Sequence, residues 1–393
     1  MKNFDWIIIG AGITGAALSY ELAKTGFSVL LLEQDATFQN ATRYSYGGLA
    51  FWSGTTDLTR ELCQEGIERH RNLSEELEGD TQFRELDLLL TIPAEDDPEL
   101  IVGNYKNFAT VPRFLSVETA CELEPLLNPH AIAGVLAVRH GHISPEGTAA
   151  AYRQAFLRRG GKIEIAQVTG FLRAEQRVVG IQAGVESYQA ANVVVCAGGL
   201  SRRLLQAAGI PVRVYFTHAE MVEVAAAELE GVQMRTLVMS ASLPRFQLEA
   251  VASQVEVDPL WDERDREIVP AILDAGAIQF RDGSLRMGQI SRALSNPEAA
   301  IDPQSSEAII RTGVGKFLPA LETVPGTWHH CLVAFSSDGL PLIGSLPNLE
   351  GLHLFSGFSN PLVFIPPLAQ RFAKVVAGQK DERILQLSPA RFS

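Results

Sequence analysis

Apolar and polar positions along the first third of the chain fall into two periods. Residues 4–9 form an apolar run with strand character, residues 16–25 carry a helical pattern stopped by Gly26, and residues 28–32 form a second apolar run that ends in Glu33. A helix is predicted over 56–77, with Leu58, Leu62, Ile67 and Leu73 on its buried face, and a strand over 86–92. A short helix at 117–123 and a strand at 135–138 follow. The strand–helix rhythm returns at 146–208: helix 146–159, strand 162–166, an antiparallel pair 168–174 and 178–183, a buried strand 192–196 and a helix 200–208. Beyond it, runs at 212–224, 237–242, 246–252, 277–280 and 284–290 have hairpin-like spacing and predict an antiparallel sheet. Helical patterns cover 258–275 and 305–317, and the chain closes with a strand at 352–355 and a helix at 367–377.

These patterns predict an α/β plus antiparallel-β protein. A discontinuous Rossmann-like unit takes residues 1–80, 147–210 and 327–393, and a mainly antiparallel second domain takes 81–146 and 211–326.

The chemistry begins at the first turn. Gly10-Ala11-Gly12-Ile13-Thr14-Gly15 joins the first strand to the first helix. Gly10 allows the tight turn, Gly12 lets backbone approach a pyrophosphate, and Gly15 lets the helix pack closely on the strand. The helix-start amides favour phosphate charge, and Glu33 at the end of the next strand is placed to accept from a ribose. Strand, glycine turn, helix, strand and acid in register point to an adenine dinucleotide. Only one such motif occurs, so no second unit exists for a nicotinamide dinucleotide.

Bulk composition narrows the partners. A net charge of −13 argues against nucleic acid and anionic membrane surfaces. There is no run of 18 apolar residues and no pattern of a signal peptide. Cys63, Cys121, Cys196 and Cys331 lack metal-binding spacing, so no metal is expected and a reduced, cytoplasmic setting is.

With these pieces placed, the chain resembles the D-amino-acid-oxidase-like family of FAD-dependent oxidoreductases, which includes glycine oxidase, sarcosine oxidase and D-amino acid dehydrogenases. The likeness is carried by residues 10–33, the 42–48 loop, Gly141-His142-Ile143-Ser144-Pro145, Val193-Val194-Val195-Cys196-Ala197-Gly198-Gly199 and Asp338-Gly339-Leu340-Pro341-Leu342-Ile343-Gly344. It implies FAD as cofactor, with Gly10, Gly12, Ile13, Thr14 and Gly15 at the pyrophosphate and Glu33 and Gln34 at the adenosine ribose. Thr42, Ser45, Gly47 and Gly48 would border the ribityl chain or isoalloxazine, and Val168 the adenine. Ala197 and Gly198 would pack beside the phosphates. Asp338 with Gly357, Phe358, Ser359 and Asn360 would reach the ribityl and pyrimidine end. The implied activity is oxidation of a C–N bond in a small amine or amino acid, with reoxidation by oxygen or by a quinone or protein acceptor. The same architecture also admits a 2-hydroxy-acid oxidase, or an FAD-binding subunit without independent catalysis.

The chain departs from that family where substrate is bound. Many members carry an arginine and a proline five and four residues before the terminal-motif aspartate; here these are Val333 and Ala334. The family's GHGxxG is here Gly357-Phe358-Ser359-Asn360-Pro361-Leu362. Cys331 stands seven residues before Asp338, where the sarcosine-oxidase branch holds a cysteine bound to flavin; the ordinary alternative is a half-buried strand cysteine. Arg286 in Ser284-Leu285-Arg286-Met287-Gly288 resembles the strand that holds a lysine beside flavin N5. It is a candidate there or on a substrate carboxylate, against the plain reading of a solvated strand arginine. His142 is a candidate catalytic histidine, and His218, Tyr215 and Arg245 are further pocket candidates, each weighed against ordinary packing or surface placement.

Overall fold

Hydrogen bonding sorts the strands of the computed structural model, which describes residues 3–392, into two sheets. Residues 1–2 and 393, at the ends of the ranges expected for the dinucleotide unit, lie outside the described residues. The first sheet is built on Asn3–Ile9, which pairs in parallel with Val29–Glu33 on one side and Glu186–Val195 on the other. Lys162–Ile165 and Leu352–Ser356 extend it in parallel, and Leu342–Ser345 ends it antiparallel. Trp6, Ile8 and Leu31 pack into one core, and Ile7, Ile9, Leu30 and Leu32 into another. A sheet covered on both faces needs continuous apolar runs, which is why these strands stand out in the sequence.

The second sheet runs in the order Thr327–Ser336, Val214–Val224, Leu285–Leu294, Glu267–Gln279, Leu237–Ser240, Arg84–Pro93, Ile132–His142 and Gly48–Leu49. It is antiparallel except where Leu237–Ser240 meets Arg84–Pro93. The α/β plus antiparallel-β class expected from the pattern is therefore what the sheets display. Two of its strands, Gly48–Leu49 and Thr327–Ser336, fall within ranges grouped by sequence with the dinucleotide unit.

Several elements differ from their sequence reading. Residues 246–252, read as a strand, belong to the helix Pro244–Ala252. Pro244 has no amide to give a ladder and is at home in a first helical turn. Residues 258–275, read as a helix, are a short 3-10 turn at Asp258–Asp262 and then the strand Glu267–Gln279. Pro270 sits there between Val269 and Ile272, where the register shifts, the place a strand tolerates proline. The strand expected at 135–138 extends over Ile132–His142, so His140 and His142 are strand residues.

The last long helix begins at Pro361 and carries Pro366 and Pro367 inside it, whereas the sequence placed its start at 367. Each internal proline frees the carbonyl four residues back. Helix Asp57–Glu76 compensates for the first: the carbonyl of Leu362 is 2.7 Å from His70 Nε2. Beside the second, the Gly66 backbone packs so closely that a Cβ there would lie 2.3 Å from the Val363 carbonyl oxygen. Burial pushes the His70 imidazole down to about 4, so it is neutral and its Nε2–H donates. His70→Leu leaves a buried carbonyl without a donor and should lower stability by about 1–3 kcal/mol. Pro366→Ala, which restores the missing amide, should recover part of that loss in the double variant; thermal melts of the four proteins measure this coupling.

Candidate active site

A cavity of about 1260 Å³ runs from the end of the first sheet to the face of the second. That exceeds the roughly 300–1,000 Å³ of most small-molecule sites. At one end it is lined by Gly10, Gly12, Ile13, Thr14, Glu33, Gln34 and Val168, with Ala197 and Gly198 opposite. The helix Ile13–Lys24 opens onto it with Gly12 as N-cap and no side-chain cap, leaving its end free for an anion. The Ile13 amide is the exception, donating to Thr42 Oγ1 at 2.9 Å. Glu33 is already partly engaged: Oε2 accepts from the Ala11 amide at 2.7 Å and Oε1 from the Gln34 amide at 2.9 Å. Its carboxylate thus ties the glycine turn to the second strand.

Gly15 does not line the cavity. A Cβ there would stand 1.9 Å from the Gly10 carbonyl oxygen, so its lack of a side chain serves helix–strand packing. Gly47 is also outside the lining; at φ +75° it packs against the Ile143 carbonyl and the His142 ring.

Thr42, Ser45 and Gly48 also line the cavity, as do Asp338, Gly357, Phe358, Ser359 and Asn360. Asp338 holds Arg391 in a two-point pair, at 2.8 and 2.9 Å, and accepts from the Leu340 amide at 3.1 Å. Burial alone would raise its carboxyl; Arg391 and that amide outweigh burial and hold it below the usual range. Pro361 opens the following helix and Leu362 is buried within it, so this loop becomes a helix start where the family motif has glycine.

Cys331 lines the cavity beside Ala219, its partner across the strands. Burial pushes its thiol up to about 12, with Arg286 acting in the opposite direction. A thiol held protonated is a poor nucleophile. Val333 and Ala334 also line the cavity, so the wall that carries the arginine in many relatives is apolar here.

Neither proposed catalytic residue lines the cavity. Arg286 is buried, with its Nε and Nη2 3.2 and 3.1 Å from Glu223 Oε1, its Nη1 donating to the Ser45 carbonyl and its guanidinium over the Phe280 ring. Glu223 is gripped from the other side by Arg43, at 2.7 and 2.8 Å. His142 is buried too; Arg84 donates to its Nδ1 at 3.3 Å, so Nε2–H donates to the Tyr46 carbonyl at 3.1 Å. Burial, aided by Arg84, pushes this imidazole down to about 3. Both side chains therefore hold the backbone of Ser45 and Tyr46 from behind. His218 and Tyr215 are committed elsewhere, to the Asn296 carbonyl and to Asp258.

The cavity is also lined by Trp52, Leu88, Leu90, Tyr105, Leu237, Met239 and Ile278, which belong to one apolar cluster and form an apolar chamber. Its polar groups are few. His140 accepts from Trp52 Nε1 at 3.0 Å, and Tyr105 donates to the Ala241 carbonyl at 2.7 Å. Arg245 pairs with Glu249 at 2.9 Å. Two groups have no such commitment: among the described residues, the Tyr46 hydroxyl and Asp274 Oδ1 are buried without a hydrogen-bond partner. Burial pushes the Asp274 carboxyl up to about 6, with Arg245 pulling it down. The sequence reading passed over Asp274. Its signal was one acid inside the apolar run Ala271-Ile272-Leu273-Asp274-Ala275-Gly276-Ala277-Ile278, hidden because that run was split between a helix ending at 275 and a strand beginning at 277.

A dinucleotide cradle joined to an apolar chamber suits a cofactor acting on a small substrate, and a family model described as FAD dependent oxidoreductase matches residues 5–375. This chain belongs to that family. Its cofactor is FAD, and the cavity fits such a group: glycine backbone lines it, an uncapped helix opens onto it, and its volume exceeds that of most small-molecule sites. Glycine oxidase of Pseudomonas putida is 24% identical over 95% of this chain and 94% of that protein. The 4-methylaminobutanoate oxidase (formaldehyde-forming) of Paenarthrobacter nicotinovorans is 26% identical over 79% of this chain but 43% of its own length. Among solved structures, glycine oxidase from Geobacillus kaustophilus superposes with a TM-score of 0.81 at 20% identity, covering 100% of this chain and 99% of that one. Among the described residues, no helix is long and apolar enough to cross a membrane.

Proposed function

We propose that this FAD-dependent oxidoreductase oxidises a small amine or amino acid at a C–N bond. The observation that carries the reading is one continuous cavity, with a dinucleotide cradle at one end and, at the other, an apolar chamber holding a carboxyl group free to receive a cation. FAD, when bound, supplies the acceptor for a hydride from the substrate carbon.

The chain's own residues bind and orient. Gly12 and Thr14 present backbone to the pyrophosphate, with the Ile13 amide between them held by Thr42, Glu33 and Gln34 meet the ribose, and Val168 borders the adenine. Thr42, Ser45 and Gly48, with residues 357–360, face the ribityl and flavin portion. Arg286 and His142 act one step back by fixing Ser45 and Tyr46. Leu88, Leu90, Leu237 and Ile278 keep water from the reacting carbon, which strengthens every charge interaction inside. We further assign the domain division to the two sheets, so that Thr327–Ser336 goes with the second, and the setting to the cytoplasm, which four unpaired cysteines support.

Turnover with an artificial dye as acceptor tests the reaction class. Over a panel of primary amines, secondary amines, amino acids and 2-hydroxy acids, amines or amino acids should reduce the dye and release a trappable aldehyde or oxo acid together with ammonia, or with an amine where the substrate is secondary. Turnover confined to hydroxy acids would contradict the reading.

A further inference from the structure

We propose that Asp274 is the counter-ion that seats the substrate's ammonium group, making a cationic amine the ligand class of the chamber. This rests on the reading of the cavity as an amine-oxidising site.

The local backbone aims Asp274 at the cavity. On Glu267–Gln279, Leu273 pairs with Ile290 and Gly276 with Gly288, so three steps on one strand face two on the other. The extra residue makes a bulge at Asp274 and Ala275, a device that re-aims side chains beside active sites. The neighbouring strand is irregular at the same level: Glu220 pairs with Ile290 and Met221 with Gly288. Gly288, at φ +133°, leaves room for the Tyr46 hydroxyl, which a Cβ would approach to 3.0 Å. Two adjacent irregularities thus bring a carboxyl and a phenol to the same end of the chamber.

The charges then select the ligand. Asp274 is 7% exposed, lines the cavity and has an oxygen with no partner. A buried carboxylate in that state is costly, and a cation is what relieves it. Among the described residues, the cation that acts on it is Arg245, which is already paired with Glu249, itself buried. One arginine among two carboxylates leaves the chamber one positive charge short, and Val333 and Ala334 offer nothing to an anion. The Tyr46 hydroxyl supplies a second acceptor for the N–H groups of an ammonium. An amine bearing a carboxylate fits the same place with its amine end inward.

The test uses the FAD-loaded protein and tert-butylammonium chloride, a cation with no C–H on the carbon bearing nitrogen, so that it binds without reacting. Its neutral counterpart is tert-butanol. Binding is read from the shift in the flavin visible spectrum. Asp274→Asn should weaken tert-butylammonium about ten- to hundredfold, the range for losing a charged hydrogen bond. The tert-butanol response should stay the same, and FAD content should be unchanged. Tyr46→Phe should give a smaller loss of the same kind. Asp274→Asn should also melt at or above the wild-type temperature, because the variant removes an unpaired buried charge, whereas a carboxylate with a structural partner would lower it. Equal tert-butylammonium binding by wild type and Asp274→Asn, or no response of wild type to the cation, overturns the assignment. Wild-type turnover of amines that survives either result would leave the reaction class standing, whereas absence of amine turnover strikes the reaction class itself.

Discussion

Gly12→Val should purify as a folded but colourless protein. Gly12 has φ −59° and ψ 177°, a conformation open to any residue. A Cβ there meets only Thr42 Oγ1, at 3.0 Å, within the described residues. The apo fold should therefore melt within a few degrees of wild type. The added side chain instead projects where backbone must approach the pyrophosphate. Losing charge-assisted contacts there, on the order of 3 kcal/mol, is roughly a hundredfold loss of FAD affinity. Gly15→Val makes the contrast: its Cβ would overlap the Gly10 carbonyl, so the helix must leave the sheet and the fold itself should fail. Flavin-to-protein ratio and apo melting temperature, measured together, separate the two. Wild-type FAD content in Gly12→Val would contradict the pyrophosphate assignment.

Arg286→Met should cost about 3 kcal/mol of stability. The arginine is buried, and its loss strips a donor from the Ser45 carbonyl and one cation from Glu223. Removing one member of a buried pair typically costs about 3–5 kcal/mol, because the other charge is left uncompensated. Arg43 still grips Glu223 here, which places the expected loss at the lower end. Burial works to raise the Glu223 carboxyl, yet Arg43 and Arg286 hold it below the usual range, so it is charged and needs both. Arg286→Lys should recover part of the loss, since an ammonium reaches one partner but lacks the planar fork. Glu223→Gln added to Arg286→Met should also recover part. Unfolding of the apo-proteins checks the series. An unchanged melting temperature with a raised KM would instead mark Arg286 as a substrate ligand.

Much of the fold is legible in the sequence because the first sheet leaves local marks. Strands buried on both faces are continuous apolar runs, and the glycine turn between Ile9 and Ile13 has a fixed spacing. The second sheet is harder to read. Pro270 and the bulge at Asp274 break its alternation, and Pro244 to Ala252 is rich enough in apolar residues to pass for a strand. The last helix is misplaced for a related reason: two prolines stop a helix unless another element serves the freed carbonyls, and His70 lies 292 residues away from the one it serves.

The site divides along the same line. Residues that meet the dinucleotide lie in short motifs, and the structure gathers Gly10, Glu33, Thr42, Val168, Gly198, Asp338 and Gly357 around one cavity. The chamber is assembled from Tyr46, Leu88, Leu237, Arg245 and Asp274, which share no spacing. Arg286 and His142 sit in recognisable stretches, but their side chains are spent on the Ser45 and Tyr46 carbonyls, distant partners that local sequence does not reveal.

The most direct test of the account is anaerobic mixing of the FAD-loaded protein with single substrates while the flavin absorbance is followed. Primary or secondary amines or amino acids should bleach the flavin, and matched 2-hydroxy acids should not. A flavin that every amine leaves yellow, or that hydroxy acids alone bleach, would contradict it.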